Sequence, residues 1–184
     1  MKKEFRHYFA YGSNMNLAQM DERCSSAKVL GIARLPNHRV EFYGYSKSWD
    51  GAQETVIPEV GSDVWGVLYE LQFYDCDQLD AYEDARLDGT GAYFHYPVDV
   101  IDGERKIIDA MIYKKDTLGE AKPPSTEYLN FILQGAKEQG LPDEYIKLLE
   151  NKTTKPASYA VPVIKKSNFD WISATCGDCG DCGQ

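Results

Sequence analysis

Strand-like segments crowd the chain as far as Tyr113, and helix-like segments follow them. That order limits the fold more than any single motif does. Residues 6–11 alternate and are β-prone, and Gly12-Ser13-Asn14 breaks them. Residues 17–23 have the length of a short helix. Residues 28–35 and 38–45 read as two strands joined at Pro36-Asn37. Residues 46–53 are polar and carry Gly51, which predicts a loop. Residues 64–71 form a strong strand pattern with Gly66 inside it, where a glycine often marks close backbone approach or a bend. Residues 75–83 have helical spacing, with Cys76, Leu79 and Tyr82 on one side and Asp75 placed to cap. Residues 93–101 and 106–113 read as a hairpin turned at Asp102-Gly103. Ser125 opens a helix that Gly140 stops, and another runs from Leu141-Pro142 to near Asn151. The pattern predicts a mixed α/β (α+β) chain with a largely antiparallel sheet. Whether that sheet closes is left open by the pattern.

The formal charge of −9, with basic doublets scattered at Lys2-Lys3, Lys114-Lys115 and Lys165-Lys166, argues against nucleic acid or anionic membrane as a partner. No apolar run has the length of a membrane span, and no apolar stretch follows the charged residues 1–6, so no signal peptide is read there. A reducing, cytoplasmic setting is expected. The 13 tyrosines suit a pocket wall that is half dry and half wet, and equally a tyrosine-rich core. Beyond Lys152 the chain becomes polar and irregular, so residues 1–151 are expected as a domain and 152–184 as an extension. That extension ends in a Cys-Gly-Asp repeat, Cys176, Cys179 and Cys182, spaced to suit a soft metal but without a fourth ligand nearby. Unstructured glycine-rich termini are common, and no metal is expected.

Several chemistries are excluded. Tyr11-Gly12-Ser13-Asn14-Met15 is not a nucleophile elbow. His7, His38 and His95 show no ligand spacing, and Gly89-Thr90-Gly91 is too short to cradle a phosphate. No cofactor is expected.

Three stretches together resemble the γ-glutamylcyclotransferases: residues 8–15 (Tyr-Phe-Ala-Tyr-Gly-Ser-Asn-Met), residues 64–71 followed by Leu79-Asp80-Ala81-Tyr82-Glu83, and residues 123–128 (Pro-Pro-Ser-Thr-Glu-Tyr) followed by 135–142. The resemblance implies a small, largely antiparallel β-barrel wrapped by helices, with a cavity at one mouth. It implies release of 5-oxoproline and a free amine from a small γ-glutamyl amide, without a cofactor. It makes Glu83 the general acid/base. It assigns γ-glutamyl binding to Tyr8, Phe9, Ala10, Tyr11, Gly12, Ser13, Asn14 and Met15, with Tyr93 and Tyr128 lining the pocket. A homodimer is possible by the same analogy. Two departures stand beside the pocket: Asp84 where many members have Gly, and a longer segment between Glu83 and Tyr93. They leave the amine open: an amino acid, a polyamine, a lysine isopeptide or a tailored metabolite. A non-catalytic binder on the same scaffold is the contrasting possibility.

The residues support the chemistry in their own terms. A tethered amine attacking its own carbonyl has much of the entropy of encounter prepaid. One carboxylate can take the ammonium proton and return it to the leaving amine. Such a base works best where water is scarce, so apolar neighbours are expected around Glu83; a solvated helix-end carboxylate is the plainer alternative. Gly12-Ser13-Asn14 can turn successive N–H groups toward one point, more so if Asn14 caps the next helix, although turn chemistry alone also explains these residues. Tyr93 and Tyr128 can wall a substrate or simply pack. Tyr8 and Tyr11, an odd number of residues apart, should face opposite sides unless the strand bends.

Overall fold

The computed structural model describes residues 5–86, 88–116 and 118–162. Five strands close into a barrel in the order β1-β3-β2-β4-β5. They are β1 (Phe5–Ala10), β2 (Lys28–Ser46), β3 (Gly51–Gln72), β4 (Phe94–Asp102) and β5 (Ile107–Lys114). Among the described residues four α-helices accompany them: α1 (Leu17–Arg23), α2 (Phe73–Glu83), α3 (Thr126–Glu138) and α4 (Asp143–Glu150). The pairings are antiparallel except where β1 meets β5, at Tyr8 opposite Met111. That parallel contact completes the closure that the sequence pattern left open.

The hairpin of β2 and β3 dominates. Its register runs from Lys28 opposite Glu70 to Ser46 opposite Gly51. The two strands expected over residues 28–45 are one strand with a bulge between Pro36 and His38. Pro36 offers no N–H to a ladder, and Asn37 takes a left-handed φ of 56°, which an Asn tolerates well. Asn37 Oδ1 accepts the Gly61 N–H at 3.1 Å, pinning the irregular point across the hairpin. The loop expected over residues 46–53 shrinks to a turn at 47–50, and β3 begins at once at Gly51. Residues 51–63, which local pattern left without an assignment as a strand, therefore pair along the outer half of β2.

Phe9, Val56, Val64, Val67, Leu71, Val100 and Ile112 are buried within one continuous core. Gly66 marks close approach as expected: a Cβ there would lie 2.2 Å from the Ala10 carbonyl oxygen. Asp75 does not cap α2; Gln72 holds that position. Asp75 is buried in the first turn and accepts from Ser26 N at 3.3 Å and Ser26 Oγ at 2.8 Å, tying α2 to the α1–β2 connection. Ser125 caps α3 by accepting the Tyr128 N–H at 3.2 Å. Lys155 then pairs with the Pro124–Thr126 segment, and Ser158 donates twice to Asp50 Oδ2 at 2.6 Å. Cys176, Cys179 and Cys182 lie outside the described residues. No helix among the described residues is long and apolar enough to cross a membrane.

Candidate active site

The site gathers where β1 ends. Past Ala10 the chain leaves the sheet, passes Gly12 and closes a 3-10 turn over Ser13–Met15, with Met15 N–H bonded to the Gly12 carbonyl at 3.0 Å. Such a turn leaves its leading N–H groups without partners of its own. Because Tyr11 stands beyond the strand, the alternation that would separate it from Tyr8 no longer applies. Both are buried. Tyr8 Oη accepts from Asn14 Nδ2 at 2.9 Å, and Tyr11 Oη donates to the Tyr113 carbonyl.

Asn14 does not cap α1. Asn16 does, accepting the Gln19 N–H at 3.1 Å. The Asn14 side chain instead faces Glu83, donating to Oε1 at 3.0 Å. Its own oxygen accepts from Arg23 Nη1 at 2.7 Å and Gln19 Nε2 at 3.0 Å, which fixes the amide's orientation. Arg23 Nη1 also reaches Glu83 Oε1 at 2.9 Å, with the two side chains only 17% and 13% exposed. α2 has no basic residue in its last turn, and Glu83 sits there, at the negative end of the helix. The cation comes from α1 instead, with its guanidinium 5.1 Å over the Tyr82 ring. The apolar surroundings expected for Glu83 are thus corrected to a polar clamp. Both clamping donors bind one oxygen. No donor among the described residues reaches Oε2.

Asp84 explains how a residue other than Gly can follow Glu83. It adopts the left-handed conformation (φ 50°, ψ 45°) that ends the helix, and its N–H returns to the Asp80 carbonyl. Its carboxylate accepts from Arg86 Nε at 2.9 Å and Ala92 N at 3.3 Å, bracing the longer segment that follows. Asp80 lies one turn back, accepting from Tyr113 Oη at 2.5 Å and bonded to His95 Nε2 at 2.6 Å.

A second carboxylate comes from β3. Glu54 on β3 is 8% exposed, and a Cβ on Gly12 would lie 1.6 Å from its Oε1. Oε1 accepts the Ser13 N–H at 3.4 Å, Oε2 accepts the Tyr128 hydroxyl at 2.5 Å, and the Glu54 carbonyl accepts the Tyr93 hydroxyl at 2.8 Å. Burial pushes the Glu54 carboxyl above the ordinary range, although the Tyr128 hydrogen bond and Lys115 pull the other way. Burial likewise pulls the Lys115 ammonium down, against the attraction of Glu54 and Glu83. The Tyr8, Tyr11, Tyr93 and Tyr128 hydroxyls are pushed up, first by burial, so they stay protonated.

Tyr8, Tyr11, Ser13, Asn14, Glu83, Tyr93 and Tyr128 therefore converge on Gly12 and its neighbours. The side chains of Phe9, Ala10 and Met15 do not: all three are fully buried in the core. Sequence reasoning missed Arg23, Glu54 and Lys115. Glu54 left one trace: it shares strand parity with Ala52 and Val56, so an acid stands among inward-facing apolar positions.

Residues 63–149 match the AIG2-like family. A γ-glutamylcyclotransferase of Bos taurus is 35% identical over 148 residues, covering 78% of this chain and 77% of that protein. The Homo sapiens γ-glutamylcyclotransferase is 35% identical over 156 residues, covering 83% and 80%. The chain belongs to the γ-glutamylcyclotransferase family. A solved γ-glutamyl cyclotransferase structure superposes with a TM-score of 0.79 at 31% identity, covering 86% of this chain and 94% of that one. The family barrel is thus the frame that brings Glu54 to the Ser13 N–H and Glu83 to the Asn14 side chain.

Proposed function

We propose that the protein cleaves γ-glutamyl amides by intramolecular cyclisation in the cytoplasm, releasing 5-oxoproline and a free amine. The substrate's α-nitrogen attacks its own γ-carbonyl carbon, forming the ring C–N bond. The bond to the leaving nitrogen breaks. On its way from ammonium to lactam N–H the α-nitrogen loses two protons: Glu83 takes the first and delivers it to the leaving nitrogen, and the second goes to solvent, from which the released amine is protonated. Glu83 Oε2 is the oxygen for this traffic, because Asn14 and Arg23 both engage Oε1. The N–H groups of Gly12 and Asn14, flanking the Ser13 N–H that Glu54 engages, supply donors to the oxyanion. The observation that carries this reading is the aim of the Glu83 carboxylate at Asn14, beside that turn.

The leaving amine is the open variable. Tyr93 also borders a cleft of about 270 Å³ with Arg86, Gly89, Gly91, Phe94 and Asp116, formed in part by the longer segment after Glu83. Its mixed charge suits a polar leaving group. The test is 5-oxoproline release from γ-glutamyl amino acids, a γ-glutamyl polyamine and ε-(γ-glutamyl)lysine. Release from at least one is expected. Binding without release from any would make the protein a binder on this scaffold.

A further inference from the structure

Glu54 and Lys115 are two buried, oppositely charged side chains that the cyclisation does not use. Glu54 has no Lys or Arg within ion-pairing distance among the described residues; its partners are a backbone N–H and a tyrosine hydroxyl. Lys115 is 9% exposed and has no carboxylate within ion-pairing distance among the described residues; its Nζ sits 4.0 Å over the Tyr93 ring. The two are linked without being paired. The Lys115 N–H donates to Thr55 Oγ1 at 3.0 Å, next to Glu54 in β3, and Tyr93 bridges from the Lys115 ammonium to the Glu54 carbonyl. Buried charges are ordinarily paired, since desolvating a lone one is costly. Here each stands apart from the other: Glu54 meets the turn at the Ser13 N–H, and Lys115 lies over Tyr93, close enough to feel the charges of both Glu54 and Glu83. One negative and one positive charge are left for a ligand to complement.

We propose that Glu54 and Lys115 together read the zwitterionic α-amino-acid head of the substrate, Glu54 holding the ammonium and Lys115 the carboxylate. This rests on the cyclotransferase reading. An ammonium has three N–H bonds, so Glu54 can hold one while Glu83 accepts the proton from another. Fixing both charges of the head leaves the side chain to fold its γ-carbonyl back toward the nitrogen. Glu54 and Lys115 are positioning residues, and the ligand class they select is an unmodified α-amino acid acylated through its side chain. The raised Glu54 carboxyl and lowered Lys115 ammonium agree with two charges that burial disfavours until a counter-charge arrives.

The test is calorimetric binding in the Glu83→Gln background, where the reading expects turnover to be silenced. Three ligands are compared: γ-glutamyl methylamide, glutaric acid monomethylamide, which lacks the ammonium, and 4-aminobutyric acid methylamide, which lacks the carboxylate. The complete head should bind about tenfold or more tighter than either analogue, the size of one charge-assisted hydrogen bond. Adding Glu54→Gln should erase the preference for the ammonium and keep that for the carboxylate. Adding Lys115→Met should do the reverse, and Lys115→Arg should restore the carboxylate preference. Uniform weakening of all three ligands, or no change, would overturn the proposal. Should either variant unfold, as read by near-UV circular dichroism, the preference in the Glu83→Gln parent decides: equal affinity for all three ligands overturns it. Wild-type 5-oxoproline release is measured separately. Intact preferences without release would sink the cyclotransferase reading and leave the head-recognition pair standing.

Discussion

Gly12 and Glu54 compete for one piece of space. A methyl on Gly12 would lie 1.6 Å from Glu54 Oε1 and 2.3 Å from its Cδ, and the carboxylate cannot swing away without leaving Tyr128 and Ser13. Gly12→Ala should therefore cost about 1–3 kcal/mol, the usual range for overpacking. Chemical denaturation should show a much smaller cost in a Glu54→Ala background; equal costs would break the coupling. Glu54 also sets a pH dependence. Burial raises its folded value, so the stability it contributes is complete below the ordinary Glu range, at about pH 4.3. That contribution is lost as pH rises through the folded value. The melting temperature of Glu54→Gln relative to wild type should thus climb between acid and neutral pH. A gap that stays constant would contradict the assignment. Cys24 and Cys76, by contrast, are buried thiols pushed up to about 12 and about 11, so neither is primed as a nucleophile.

At the scale of elements, the end of α2 decides where Glu83 points. Asp84 holds a left-handed φ of 50° and braces Arg86 and Ala92 through its carboxylate. Asp84→Ala should lose both the brace and the tolerance for that conformation, whereas Asp84→Gly loses only the brace. Urea titration should rank Gly above Ala by about 1 kcal/mol; the opposite order would mean that the backbone at this cap is not under strain. Most elements were legible because their signals are local. Leu17–Arg23 shows helical length, Thr126–Glu138 shows a cap at Ser125 and a stop at Gly140, and 94–102 with 107–114 shows a hairpin around Asp102-Gly103. The hairpin of β2 and β3 was legible only in pieces. Pro36, Pro58 and Gly61 punctuate it, and each reads as a break when the partner strand is out of view. Pairing across the hairpin outweighs those local signals.

At the scale of the molecule, barrel closure assembles the site. Tyr11, Asn14, Arg23, Glu54, Glu83, Tyr93, Lys115 and Tyr128 come from β1's exit, two helix ends, β3, the approach to β4, the exit of β5 and α3. Glu83 and the Tyr-Gly-Ser-Asn turn were found because they sit in recognisable local motifs. Arg23, Glu54 and Lys115 were not, because their importance comes from contacts distant in sequence: 60 residues for Arg23 with Glu83, and 41 and 74 for Glu54 with Ser13 and Tyr128. Within a chain of formal charge −9, the site pairs Glu83 with Arg23 and, among the described residues, leaves Glu54 and Lys115 without an ion pair. The most direct test of the account is the rate of 5-oxoproline release by wild type and by Glu83→Gln on the best γ-glutamyl amide, with folding checked by circular dichroism. The account predicts a fall of about a hundred- to ten-thousand-fold, the range for losing a positioned acid/base. A folded Glu83→Gln protein turning over at the wild-type rate would contradict it.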